Sequence, residues 1–409
     1  MRALSVESRL IGYFVLAICS LALLSAATTA SRQDPQQTNQ QQRPRKVGAQ
    51  VTTDTRQPTN SSAEEVGEGD VVRVETQLVS VPAVVSDRNG RPLAGLRAEN
   101  FAVFEDGKPQ HVTNFATTEA PFEIALLLDT SGSTREELGL MREAANAFID
   151  ALRLGDRVAI VAFNNKSGNG SPLATVEVLS MPTGDRKVLR RAIGDIGTSN
   201  GTPFYDALGR IADQVFHDPP RAEIRGRRAV VALTDGVDSS SDSDYEDARA
   251  KLLHAGVFCY FIQVSTEDYV EDRLLKDCQD DGRLTLSAKQ LERFRRLFVP
   301  QAQKEDYQDF CRLGPFERMD ISRQLYNLAR HEMGELARDA GGKNFAAANL
   351  QDARAAFAQV ANEIGTQYSL GYYPANKTRD GRFRKISVEL LGVKGASVRA
   401  RAGYYAQKQ

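Results

Sequence analysis

Ile124-Ala125-Leu126-Leu127-Leu128-Asp129-Thr130-Ser131-Gly132-Ser133 is an apolar run that stops at a carboxylate and then sets two hydroxyls two residues apart. Ile124 to Leu128 are apolar without alternation, as in a strand covered on both faces, and residues 135–152 then follow helical spacing. The polar group therefore falls on a strand-to-helix turn at the carboxyl end of a strand, where open α/β sheets bind ligands. Taken alone, Asp-Thr-Ser-Gly-Ser is equally a capped helix start, since all three polar types favour that position.

Two later segments supply what one such turn lacks. Gly201-Thr202-Pro203-Phe204-Tyr205-Asp206 puts another hydroxyl at the mouth of a helix, with Pro203 suited to the first turn. Ala229-Val-Val-Ala-Leu233-Thr234-Asp235-Gly236 repeats the opening pattern, a buried strand ended by a carboxylate and then by a glycine. Asp129, Ser131, Ser133, Thr202 and Asp235 thus form one oxygen-rich set suited to a hard divalent cation, with Mg²⁺ the first choice and Mn²⁺ or Ca²⁺ the alternatives.

These residues, in this order, resemble the metal-ion-dependent adhesion site of the von Willebrand factor type A domain, whose pattern is Asp-x-Ser-x-Ser, a distant Thr and a distant Asp. The resemblance implies that Ser131, Ser133 and Thr202 ligate the ion directly while Asp129 and Asp235 act largely through bound water. One coordination position then stays open for an Asp or Glu carboxylate of a protein partner. Few directly bound negative charges leave the cation electrophilic enough to attract that carboxylate.

The chain of 409 residues is long enough for more than one module. Its 52 basic and 53 acidic residues give a net charge of −1, which offers no electrostatic case for a nucleic-acid partner. Residues 1–30 carry Arg2 and Arg9, an apolar stretch over 10–27 and small residues to Ala30, the layout of a secretory signal peptide. An uncleaved inner-membrane anchor is the alternative and the only membrane contact expected. The reading is an exported chain of the periplasm, cell envelope or extracellular space. Residues 31–70, rich in Gln, Thr, Asn and Pro, read as a disordered linker. Of the four cysteines, Cys259 lies in an apolar strand as a buried thiol, while Cys278 and Cys311 flank a polar helical stretch and are candidates for a disulfide.

Residues 71–118 show short alternating runs with Asn-Gly and Asp-Gly turns, a small β module. Its Glu99-Asn-Phe-Ala-Val-Phe-Glu-Asp-Gly-Lys-Pro109 resembles the lead-in of a bacterial subfamily of VWFA-related exported proteins. Residues 121–365 alternate strands with helices, the signature of a doubly wound, mostly parallel α/β sheet. Gly341-Gly342 resembles the A-domain family's late turn into its last strand. Within this span, residues 266–324 depart from the family plan as a charged helical insertion on the ion's rim. Its apolar series Leu291, Phe294, Leu297 and Phe298 is expected to pack on the sheet's edge, the alternative being a partner-binding arm. Residues 366–409 return to strands and are expected to pair with the N-terminal β module in a small sandwich; Tyr372, Tyr373, Tyr404 and Tyr405 read as half-buried sheet residues.

Enzymatic motifs are missing. His111, His217, His254 and His331 show no metal-ligand spacing and flank no glycine-framed serine, and no phosphate-binding glycine loop follows a strand. Leu128-Asp129-Thr130 superficially matches an aspartic protease, but Ser131 stands where glycine is required and Asp235 lacks the second copy of the signature. Asp238, Asp242 and Asp244 are a conceivable second cation site, although Ser243 and Asp244 more simply cap the next helix. The chain reads as a binding protein rather than an enzyme. It presents a cation to an acidic residue of a partner; the alternative is a structural or assembly factor of the envelope with the cation integral to the fold.

Overall fold

The strand that the opening stretch predicts runs from Glu123 to Leu128 in the computed structural model, and all six of its residues are buried. The structure describes residues 78–117, 121–132, 137–166, 173–219, 227–276 and 285–408. The leader, the linker, Ser133 and Cys278 lie outside the described residues.

Along the chain the strands Val79–Asp87 (β1), Phe101–Glu105 (β2), Lys108–Gln110 (β3) and Val112–Ala116 (β4) come first. Glu123–Leu128 (β5), Leu138–Ala151 (α1), Arg157–Lys166 (β6), Leu173–Thr183 (β7), Arg186–Gly194 (α2) and Phe204–Arg210 (α3) follow. Then come Arg228–Thr234 (β8), Tyr245–His254 (α4), Phe258–Val264 (β9), Glu267–Leu274 (α5), Ala288–Phe298 (α6) and Pro315–Asp339 (α7). Lys343–Ala347 (β10), Leu350–Gly365 (α8), Tyr368–Tyr372 (β11), Phe383–Leu390 (β12), Ala396–Ala400 (β13) and Gly403–Tyr405 (β14) close the chain.

The central sheet has the order β10-β9-β8-β5-β6-β7, parallel except where β7 returns antiparallel to β6. Side chains along a strand point alternately to its two faces. Ile124, Leu126 and Leu128 therefore pack under α1, α2 and α8, whereas Ala125 and Leu127 pack under α3, α4 and the second half of α7. Each helix offers the matching stripe; α1 buries Met141, Ala144, Ala145, Phe148 and Ile149 at spacings of three and four. Each fully buried Leu or Phe contributes about 1.5–3 kcal/mol, so the two cores together fix the sheet and its rim.

The N- and C-terminal strands form the expected sandwich, with sheets β13-β1-β11-β4 and β14-β12-β2-β3. Val79, Val81, Ala83 and Val85 of β1, with Tyr368, Leu370 and Tyr372 of the neighbouring β11, face Phe101, Val103 and Ile386 of the other sheet in its core. β1 pairs with both β11 and β13, so the sandwich is built from both ends of the described chain. Tyr372 is fully buried, and its hydroxyl donates to Glu105 at 2.7 Å, as does that of Tyr404 at 3.0 Å. Tyr373 alone of these four tyrosines is exposed.

The insertion departs from expectation in two ways. α7 starts at Pro315, a residue pre-set for a first helical turn, and continues unbroken to Asp339, so the expected boundary at 324 falls inside one helix. Leu291 and Phe294 do not line the sheet; they join Leu274, Leu286, Phe310, Leu313, Ile321 and Leu325 in a small core of their own. The first half of α7 presents an apolar face to α6, and this satisfies the series locally. Leu297 and Phe298 stay exposed. Among the described residues no helix is long and apolar enough to cross a membrane.

Cys259 is buried and free, and burial pushes its thiol up. Cys311 is disulfide-bonded to a partner outside the described residues. Peptide mapping under non-reducing conditions is expected to join it to Cys278, which closes the insertion and stabilises it by about 3–4 kcal/mol on the chain-entropy account; a free Cys278 thiol refutes this.

α7 ends in a Schellman motif, with Gly341 at φ +80°, Gly342 N donating to Ala337 O at 2.8 Å and Gly341 N donating to Arg338 O at 3.1 Å. A Cβ on Gly342 would lie 1.9 Å from the carbonyl oxygen of Cys259, a backbone atom of β9 that cannot move aside. Gly342→Ala is therefore expected to cost at least about 2 kcal/mol in urea unfolding, and an unchanged midpoint would disprove the close approach.

Candidate metal centre

The register of β5 beside β8 sets Leu128 against Leu233, so the residues that follow the two strands emerge side by side at the carboxyl edge of the sheet. Asp129 N donates to Leu233 O at 3.0 Å and holds the two strand ends together. Asp129 is wholly buried and Asp235 nearly so. One Asp129 oxygen, Oδ1, accepts from Ser131 N at 3.0 Å, which bends the turn, and Oδ2 accepts from Thr234 Oγ1 at 2.6 Å. Asp235 Oδ1 accepts from Val237 N at 3.0 Å. Thr266 Oγ1 donates to Asp235 Oδ2 at 2.7 Å and, its one proton being used, receives the hydroxyl of Tyr326 at 2.6 Å.

Thr202 is placed from the other side. Thr202 N donates to Ser239 Oγ at 2.8 Å and Ser239 N donates to Thr202 O at 3.0 Å, so the turn before α3 and the loop after β8 pair reciprocally. Asp238 Oδ2 accepts from Phe204 N at 2.8 Å and Tyr205 N at 3.3 Å, which satisfies the open amides of α3. Asp242 pairs with Lys289 at 2.6 Å and Asp244 caps α4 by accepting from Asp247 N, so this acidic run is engaged in structural contacts.

The insertion holds the same loop from above. Ser287 Oγ donates to Ser239 O at 2.6 Å, and Lys289 Nζ donates to Ser240 O and Ser241 O at 2.9 Å each. Arg293 reaches Glu332 with 2.7 and 2.8 Å contacts and the Tyr205 hydroxyl at 2.5 Å. α6, α3 and α7 are thereby joined beside the rim.

Ser131, Thr202 and Asp235 line one cavity of about 130 Å³, with Asp129 buried behind them. Ser133, the remaining residue of the set, lies outside the described residues. Burial, and then the neighbouring Asp235 carboxylate, push the Asp129 carboxyl up to about 7. Two like charges in a dry site call for a proton or a cation between them. Hydroxyls beside two carboxylates are the donor chemistry that a hard divalent ion takes, so the residues present fit such an ion. Among the described residues no cluster of three His, Cys, Asp or Glu side chains is arranged to hold a metal, so the four histidines add no competing centre. Sequence reasoning missed Thr234, Thr266, Tyr326 and Ser239. Thr234 adjoins Asp235 and was legible as a neighbour; Tyr326 is distant in the chain and gave no local signal.

A doubly wound α/β domain with an oxygen-lined carboxyl edge is the class that this geometry defines. The family model of the von Willebrand factor type A domain matches residues 123–293, a span that contains β5, the Thr202 turn and β8. Domains of this family commonly mediate protein–protein interaction. A von Willebrand factor type A protein from Catenulispora acidiphila is 12% identical, with 81% of this chain and 75% of that one covered at a TM-score of 0.36. BatB from Bacteroides thetaiotaomicron is 14% identical, with 59% and 98% covered and a TM-score of 0.35. Proximal thread matrix protein 1 from the mussel byssus is 13% identical at a TM-score of 0.38; 69% of this chain matches, and it spans 50% of the mussel protein's length. No curated protein matches the chain.

Replacing Asp129 by the neutral isostere Asn removes the repulsion with Asp235 and one anionic group from the candidate centre. Asp129→Asn is expected to raise the melting temperature in chelator and to abolish any rise on adding Mg²⁺. Calorimetric scans of both proteins with and without Mg²⁺ test this, and an undiminished Mg²⁺ effect in the variant refutes it.

Proposed function

We propose that the chain is an exported binding protein, not an enzyme, that presents a divalent cation, Mg²⁺ first and Mn²⁺ or Ca²⁺ otherwise, to an Asp or Glu carboxylate of a protein partner. The observation that carries this reading is the convergence of Ser131, Thr202 and Asp235 on one cavity at the carboxyl edge of the sheet, with Asp129 directly behind. Ser133 completes the donor set. Export follows from the basic and then apolar pattern of residues 1–30, with residues 31–70 as the tether. The resemblance of residues 99–109 to VWFA-related exported proteins points the same way.

One observation favours a second reading. Ser131, Thr202 and Asp235 are 3%, 6% and 4% exposed, and Asp235 accepts from Thr266 at the insertion's start, which in turn receives the hydroxyl of Tyr326 just past its end. A cation so enclosed would serve the fold, and partner contact would fall to the sandwich or the insertion, as in an envelope assembly factor.

Thr202→Ala separates the two. Affinity capture from envelope extracts, with and without chelator, is expected to lose a specific partner when the cation or Thr202 Oγ1 is removed, while the melting temperature falls by no more than a few degrees. Retained capture together with a large loss of stability supports the structural role instead.

A further inference from the structure

A second and larger space lies between the start of α4 and the insertion's α6, an open cleft of about 550 Å³. It shares no lining residue with the cavity of the candidate centre. Clefts that hold small ligands run to about 300–1,000 Å³. Tyr205, almost wholly buried, lies at the floor with the Arg293 guanidinium 4.6 Å from its ring centre. Tyr307, half-buried and packed on Phe294, lines one end.

The walls of this cleft carry opposite charge. Lys289, Arg293 and Arg296 stand at i, i+4 and i+7, so one face of α6 is basic, and that face lines the cleft together with Lys304. Asp244 and Asp247, three residues apart at the start of α4, line it from the other side. Several of the lining charges are already matched. Lys289 pairs with Asp242 at 2.6 Å, Arg293 with Glu332 at 2.7 Å and Glu292 with Arg295 at 2.8 Å. Asp238 is occupied by the amides of Phe204 and Tyr205.

Three lining groups are left over. Arg296, Lys304 and Asp247 are exposed and form no ion pair among the described residues. The fold keeps the two walls from closing and cancelling these charges. α6 is pinned at Ser287 to Ser239 O, at Lys289 to Ser240 O and Ser241 O, and at Arg293 to Glu332 of α7. Lys289–Asp242 is therefore the one ion pair across the cleft among the described residues. A ligand of single sign is attracted by one wall and repelled by the other, whereas a ligand carrying both signs gains from each.

We propose that this cleft binds a short zwitterionic peptide chain, its ammonium at Asp244 and Asp247, its carboxylate at Arg296 and Lys304, and the chain between them lying along Tyr307. The inference does not rest on the cation reading. The same chemistry has two sources, the two termini of a free short peptide or a basic and an acidic side chain of a protein segment.

The test is a ligand-observed NMR titration of the full chain, in chelator so that no divalent ion contributes. One arm uses trialanine, with its N-acetylated, C-amidated and doubly capped forms; the other uses the doubly capped peptide Lys-Ala-Glu. Binding is expected to weaken as salt is raised. Capping either end of trialanine should weaken it about fivefold, as should Arg296→Gln or Asp247→Asn in the protein. Both substitutions are at exposed side chains without an ion-pair partner, and the melting temperature is expected to stay unchanged. Binding by trialanine alone assigns the charges to a free peptide's termini, and binding by capped Lys-Ala-Glu alone assigns them to a protein segment. No binding in either arm, doubly capped trialanine binding as tightly as trialanine, or binding indifferent to both variants overturns the proposal.

Discussion

The carboxyl edge of the sheet holds two carboxylates in a dry, tightly packed setting, and most of the surrounding structure answers to that constraint. The proximity is imposed by topology: β5 and β8 are adjacent parallel strands in register, and each ends in an aspartate. Taking a carboxylate out of water costs several kcal/mol, whereas a hydrogen bond to a charged group returns about 1.5–3 kcal/mol. Ser131 N and Thr234 Oγ1 serve Asp129, and Val237 N and Thr266 Oγ1 serve Asp235, which orients both groups and offsets part of that cost. The repulsion between them remains, and it is felt as the upward displacement of the Asp129 carboxyl. Both carboxylates are thus held in fixed positions by dipoles already aimed at them.

The insertion depends on the same edge. α5 begins directly after β9, and α7 carries the chain back from the insertion's own small core into the second face of the sheet. Because α7 is one continuous helix, Leu325 in the insertion core and Met333 and Leu336 in the sheet core belong to a single rigid element. Tyr326 sits between these two groups, bonded through Thr266 to Asp235. Movement of the insertion relative to the sheet would have to bend α7 or break this chain of hydroxyls. Geometry at the candidate centre and the position of the insertion are therefore coupled by construction.

The parts of this arrangement that were legible in the sequence are those written in local pattern. Ile124 to Leu128 and Ala229 to Leu233 are unbroken apolar runs because both faces of a central strand are covered, and Asp129, Ser131 and Asp235 after them stand out in pattern, as does Thr202 before α3. The sandwich was legible from the alternation in β1 and in the tail strands. What was not legible depends on contacts between distant segments. Nothing near Tyr326 marks it as an Asp235 neighbour, since a buried tyrosine on a helix has many packing explanations. The apolar series of α6 was read against the wrong surface for the same reason: periodicity tells which face of a helix is buried, not what covers it. The boundary at 324 failed because the helix of the insertion and that of the α/β domain share one uninterrupted pattern.

A parallel sheet has two unlike edges, and this chain uses each for a different purpose. The sandwich docks at the amino edge: Arg399 Nε donates to Gly341 O at 3.1 Å just before β10, Ala402 N donates to Asp339 O at 2.8 Å, and Tyr405 stacks on His254 at the end of α4. Glu363 at the end of α8 receives Arg399 and Lys343 as well, so the attachment is fastened by charge where β10 and β11 begin and end their helical connection. The carboxyl edge is left to Asp129, Thr202, Asp235 and the insertion. Both the first described strand and the last belong to the sandwich. The first and last described strands thus lie on the side of the sheet away from the candidate centre. The carboxyl edge is therefore bounded not by β1 or β14 but by the strand-end turns and by the walls that α5, α6 and α7 build beside them.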